Sequence, residues 1–132
     1  AARILGHFRE LAEEGAGVLF ITHDLELALT VADRVAVFYA GETIEEADAA
    51  DFSDEARLRH PFTRALWNAV PSRKFRPIPG AQPYPGTVSE GCPFAGQCGK
   101  CRAECRRAEN IPLEPFEGGM VRCLYPEKGV EL

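Results

Sequence analysis

The chain of 132 residues holds no run of about 18 consecutive apolar residues, so its sequence offers no membrane-spanning helix. It also has no surplus of positive charge. Fifteen lysines and arginines face 20 aspartates and glutamates, and the formal net charge of −5 sets up no field that would gather phosphate backbones, so nucleic acid is not an expected partner. A phosphate cradle is missing as well. A P-loop needs Gly-x-x-x-x-Gly-Lys followed by Ser or Thr, because backbone amides surround phosphate while lysine and hydroxyl serve the γ-phosphate and Mg²⁺. The one Gly-Lys pair here, Gly99-Lys100, precedes Cys101 and has Phe94 where the first glycine belongs. There is no Leu-Ser-Gly-Gly quartet and no apolar run ending in Asp-Glu. Ala1-Ala2-Arg3 leads directly into a helical pattern with no apolar leader, which points to the cytoplasm. No repeat of 20 to 50 residues recurs, which excludes a solenoid.

What is present begins with Ile4, Leu5, Phe8, Leu11 and Ala12 at helical spacing, stopped by Gly15 and Gly17. Residues 18–22, Val-Leu-Phe-Ile-Thr, are continuously apolar up to the threonine and predict a parallel strand buried on both faces. That strand would deliver His23 and Asp24 to its carboxyl end, where open α/β sheets gather ligands. Asp24 suits the N-cap of a helix over about 25–32. Residues 35–39 predict a second strand, Ala40-Gly41 a tight connection, and 42–46 an antiparallel return with Ile44 inward. Residues 47–59, rich in charge and alanine, read as a solvated helix or loop. Pro61 opens a helix with Phe62, Leu66, Trp67 and Val70 on its apolar face, and Pro71 closes it. From Arg76 to Pro85 four prolines make a semi-rigid, extended linker. A buried parallel strand needs neighbours on both edges, and this chain supplies too few. The isolated chain is therefore expected to self-associate.

Five cysteines stand at 92, 98, 101, 105 and 123, an odd number that disulfides cannot consume. In a reducing compartment such a cluster reads as metal ligands. Structural zinc sites favour two close pairs, and only Cys98 and Cys101 form one; iron-sulfur clusters accept looser spacing with one remote thiolate, here Cys123. Residues 72–132 have few large apolar side chains, so the ligated centre would also staple the segment.

Three runs resemble one family. Residues 18–41, with Thr22-His23-Asp24, Asp33-Arg34-Val35 and Tyr39-Ala40-Gly41, resemble the switch-histidine segment of ABC-transporter ATPases. His60-Pro61-Phe62-Thr63-Arg64-Ala65-Leu66 resembles the His-Pro-Tyr-Thr-Arg-Ala-Leu motif of the oligopeptide, dipeptide and nickel importer branch, with Phe62 replacing tyrosine. Ile78-Pro79-Gly80, Gly91-Cys92-Pro93-Phe94-Ala95 and the later cysteines resemble that branch's tail. The resemblance implies an α/β fold: the C-terminal piece of a P-loop ABC ATPase domain (helix, parallel strands, short hairpin) followed by a helix and an irregular Cys-rich tail. It implies four segments, 1–58 of the ATPase core, 59–71 a docking helix, 72–91 a Pro-rich linker and 92–132 a metal-binding tail. For function it implies the C-terminal part of an ATP-binding subunit driving peptide or nickel uptake, peripheral on the inner face of the membrane, with permease subunits and a second ATPase subunit as partners. His23 would contact the γ-phosphate of ATP, with Mg²⁺ held elsewhere in the intact subunit, and this chain alone would be inert. Cys92, Cys98, Cys105 and Cys123 would hold a 4Fe-4S cluster, zinc being the alternative and Cys101 the extra thiol. Two other readings stand beside it: a free-standing iron-sulfur or metal protein, and an interaction module.

Overall fold

The computed structural model describes residues 2–84 and 90–129. Residues 85–89 of the expected linker fall outside them. The architecture is α/β with one small sheet. Helix α1 (Ala2–Glu13) comes first, then a short helix α2 (Leu25–Leu29), a hairpin of β1 (Arg34–Tyr39) and β2 (Glu42–Asp48), two 3-10 turns, helix α3 (Pro61–Ala69), a further 3-10 turn at Ala103–Arg106, and a second hairpin of β3 (Glu114–Phe116) and β4 (Gly119–Val121). The sheet order is β1-β2-β4-β3, and all three pairings are antiparallel.

The first hairpin follows from its turn. Ala40 and Gly41 both take positive φ, 49° and 84°, the twist that a two-residue hairpin requires, and Ala40 bears the strain that its β-carbon brings there. Val37, Tyr39, Ile44 and Ala47 then bury against Phe52, Leu58, Phe62 and Phe94. Tyr39, Phe62 and Phe94 form a three-ring knot, with centroids 4.6, 5.3 and 5.4 Å apart and tilted or edge-on geometry that suits aromatic quadrupoles. Phe94 belongs to the cysteine segment, so that segment shares the hairpin's core.

A fully buried ion pair locks the two hairpins together. The Glu45 carboxylate accepts from the Arg59 backbone N–H at 2.9 Å, from the His60 N–H at 2.7 Å and from Arg59 Nη1 at 3.2 Å. Arg59 donates onward to Asp51 at 2.9 Å and to the carbonyls of Phe116 and Glu117 at 2.8 and 2.7 Å, across the β3–β4 turn. A β-carbon at Gly119 would stand 2.6 Å from the Arg59 guanidinium carbon and 2.7 Å from the Glu46 carbonyl oxygen. Only glycine lets β4 approach so closely.

Several expectations are corrected. Residues 18–22 form no strand, and Leu19 and Ile21 are 88% and 85% exposed. An apolar run becomes a strand when it finds hydrogen-bonding edges, and β1 pairs with β2 alone among the described strands. No parallel strand occurs among the described residues. The α2 helix ends at Leu29, with a Thr30 hydroxyl turned onto the Leu27 carbonyl at 2.6 Å, rather than reaching residue 32. Residues 47–59 are not a solvated stretch: Phe52, Glu55, Leu58 and Arg59 are buried, because the charges answer one another inside. The tail is not wholly irregular, since it contributes β3 and β4 to the sheet. No helix among the described residues is long and apolar enough to cross a membrane.

Candidate functional site: a cysteine-lined pocket beside the His60 helix

Two elements build most of the pocket, and residues 123–125, just past β4, complete it. The first is the start of α3, where Pro61 occupies the first turn and His60 caps it, its Nδ1 accepting from the Phe62 N–H at 2.9 Å. With Nδ1 used as an acceptor, the proton of the neutral ring sits on Nε2, and that buried atom has no hydrogen-bond partner. Burial, with the Arg64 charge adding to it, pushes the His60 pKa down to about 3. The Arg64 guanidinium is buried too and donates to the carbonyls of Leu58 at 2.9 Å and Glu127 at 3.0 Å, pinning the end of the chain to α3. Burial lowers its pKa, against the opposing pull of Glu45, Glu127 and the thiols of Cys123 and Cys98.

The second element is the looped segment 90–108. Gly91 takes φ 79°, and a β-carbon there would meet the carbonyl oxygens of Cys105 and Arg106 at 2.7 Å, so glycine is what lets these two stretches touch. The Gly91 N–H donates to Ala108 at 2.8 Å and the Cys92 N–H to Cys105 at 2.6 Å. Cys98 accepts from the Lys100 N–H at 3.4 Å, and the Cys101 N–H donates to the Cys98 carbonyl at 3.3 Å.

All five thiols are free and half-buried, and all five line one cavity of about 20 Å³, together with His60, Phe94 and Tyr125. Burial pushes the Cys92 thiol up to about 11 and raises Cys98 and Cys123. Cys92, Cys98, Cys105 and Cys123 lie within electrostatic reach of one another in every pairing, and Cys101 acts on Cys98. Among the described residues, no three His, Cys, Asp or Glu side chains stand where they could hold a metal ion as placed. The donor chemistry nevertheless suits iron or zinc, which take thiolates. Loading would have to displace protons from raised thiols and draw the sulfurs inward.

His23 lies elsewhere, exposed on the bend before α2 and not among the residues lining this cavity. Asp24 caps α2 as the sequence implies, accepting from the Leu27 N–H at 3.0 Å. What the sequence left unread is the burial of Glu45, Arg59, His60 and Arg64, although His60 does enter α3 as its motif suggests. Its signal was available in retrospect: two arginines flanking His-Pro in a run whose apolar face is already complete.

Comparison with known proteins supplies the class. Residues 44–105 match the family described as the oligopeptide/dipeptide transporter, C-terminal region. Its relatives are ATP-binding proteins. The oligopeptide transport ATP-binding protein OppD of Mycobacterium tuberculosis is 38% identical over 119 residues, covering 86% of this chain and 19% of that protein. AppD of Bacillus subtilis, also named an oligopeptide transport ATP-binding protein, is 34% identical over 137 residues, 98% of this chain and 41% of its own length. OppD of Escherichia coli is 34% identical over 130 residues, 94% and 37%. This chain thus spans about two fifths or less of the relatives it matches.

Proposed function

We propose that this chain is the C-terminal part of the ATP-binding subunit of an ABC importer for peptides. The observation that carries the reading is the breadth of the likeness, which runs through the hairpin, α3 and the cysteine segment to proteins named for oligopeptide transport and ATP binding. Peptide is the cargo those names support, and nickel has no such support. The intact subunit would bind ATP and Mg²⁺, work with a second ATPase subunit and with membrane-spanning permease subunits, and sit on the cytoplasmic face of the membrane. His23 would orient water against the γ-phosphate through an imidazole nitrogen. The exposed apolar residues Leu19 and Ile21, next to it, are surface that the rest of such a subunit would cover. In the intact subunit, His23→Ala is expected to lower turnover by roughly 100-fold, typical of losing one proton-handling group, with nucleotide affinity nearly unchanged. Equal losses in both would make His23 structural and overturn its role.

The second part of the proposal is that Cys92, Cys98, Cys105 and Cys123 hold a 4Fe-4S cluster, with zinc the alternative. Four mutually interacting thiols around one cavity support it. When bound, the cluster would supply four metal–sulfur anchors to a segment poor in apolar side chains; the chain's own part is to fold Gly91 against Cys105, bring Cys123 in just past β4 and wall the cavity with Phe94. Protein prepared without oxygen should be brown and absorb broadly near roughly 400 nm. Changing any of the four to serine should bleach it while Cys101→Ser should not. Anaerobic protein with neither iron nor zinc would sink this part.

A further inference from the structure

Cys101 has no part in that quartet, yet its surroundings are specific. Its N–H donates to the Cys98 carbonyl at 3.3 Å, which closes a four-residue turn from Cys98 to Cys101. Such a turn holds its first and last α-carbons within about 7 Å, and a disulfide asks for about 4.4 to 6.8 Å. Both thiols are free and half-buried on the same cavity, so a small oxidant reaches them from solvent. The Lys100 N–H, inside the turn, points at Cys98 Sγ from 3.4 Å and steadies a negative sulfur there. Cys101 Sγ lies 3.5 Å from the Arg102 carbonyl, a weak contact that is readily given up.

We propose that Cys98 and Cys101 form a redox-active dithiol, closing to an intramolecular disulfide whenever the cavity holds no metal, with a low-molecular-weight disulfide as oxidant. The Cys101 thiolate attacks one sulfur of that oxidant, a sulfur–sulfur bond breaks, and the first small thiol leaves with the Cys101 proton. The Cys98 thiolate then attacks Cys101 Sγ in the mixed disulfide, forming the Cys98–Cys101 bond as the second small thiol departs with the Cys98 proton. Two protein thiols are oxidised, and one small disulfide is reduced to two thiols. Because Cys98 is one of the proposed cluster ligands, closure and cluster binding exclude each other; that last consequence rests on the metal reading, and the disulfide itself does not.

The test uses the metal-free 132-residue chain and oxidised glutathione as the probe, with free thiols counted after quenching in denaturant. Wild type should fall from five thiols to three, and Cys105→Ser from four to two. Cys101→Ser and Cys98→Ser should each keep all four of theirs. Peptide mapping should find the new bond between residues 98 and 101. A bond between any other two cysteines, or a Cys101→Ser chain that still loses two thiols, overturns the proposal, as does a wild-type chain that keeps all five. A separate arm repeats the count on protein loaded with iron and sulfide. Protection there is expected; failure to load at all would fall on the cluster reading and leave the metal-free arm standing.

Discussion

Residues 2–24 and residues 34–129 answer the same physical chemistry in opposite ways. Both contain apolar runs of similar strength, yet Val37, Tyr39 and Ile44 are almost fully buried, while Ile4, Leu19 and Ile21 face solvent. The second region closes on itself because its charges are matched inside: Glu45 with Arg59, Arg59 with Asp51, Glu55 with Asn68 and Lys74. The first region is fastened mainly by Arg9, which donates to the Val31 carbonyl at 3.2 Å and to Asp33 at 2.8 Å across an exposed surface. Apolar content alone does not decide where a segment goes. What decides is whether strand edges and counter-charges lie within reach of it.

The contrast breaks most visibly at Arg59. Arg59→Met would strand the Glu45 carboxylate in the core and release the β3–β4 turn, and losing one partner of a buried pair costs about 3 to 5 kcal/mol. Chemical denaturation should read that loss. A change below about 1 kcal/mol would mean that Glu45 is satisfied by the two backbone amides alone. Next in size is Phe94→Ala, which empties the centre of the ring knot, for about 3 kcal/mol as in other large-to-small aromatic truncations. If the cysteine segment were merely draped on the hairpin, this change would be nearly silent.

The hairpin, α1, the Asp24 cap and α3 were legible because each is written locally, in a turn pair, a periodic stripe or a capping residue. The pairing of β2 with β4 was not, since the partners Glu46 and Met120 are far apart in the chain and the three-residue strands β3 and β4 carry no alternation long enough to read. The strand over 18–22 was misread because apolar β-prone sequence reports an appetite for a sheet and not the presence of one. At the cavity, the sequence set Cys101 apart from four thiols, whereas all five line the same wall. Burial of His60 and Arg64 beside them was hidden, because charged residues inside are sensible only once their partners are known.

A smaller effect tests whether the His60 wall is as dry as its position implies. The ring is neutral in the fold with a pKa of about 3, against roughly 6.5 in an unfolded chain. Between those values the unfolded chain binds the additional proton, so stability is fully present above about pH 6.5 and declines as pH falls. The Arg64 charge opposes protonation and the Arg122 backbone favours it. From pH 7 to pH 5 the chain should lose about 2 kcal/mol through this group, one and a half pH units at about 1.4 kcal/mol each. His60→Asn, which keeps a cap for α3, should flatten that slope over the same interval. An equal slope in the variant would place the titration elsewhere.

The smallest expected effect sharpens the comparison from the other side. Leu19 and Ile21 are 88% and 85% exposed, so replacing both with serine removes almost no buried area from this chain. The change in unfolding free energy should stay within about 0.5 kcal/mol, the usual range for surface substitutions. The same pair should behave differently in the intact ATP-binding subunit proposed above. There the two side chains would lie on a strand with neighbours on both edges, and each buried residue of that size is worth about 1.5 to 3 kcal/mol. A double serine variant that is silent in this chain and costly in the longer protein would show that residues 18–22 take their structure from outside the segment. If it were costly in both, the run would already be packed within this chain, and the contrast drawn between its two regions would fail. If it were silent in both, the run would be a surface loop in the subunit as well, and His23 would lose the strand that is meant to carry it to the γ-phosphate.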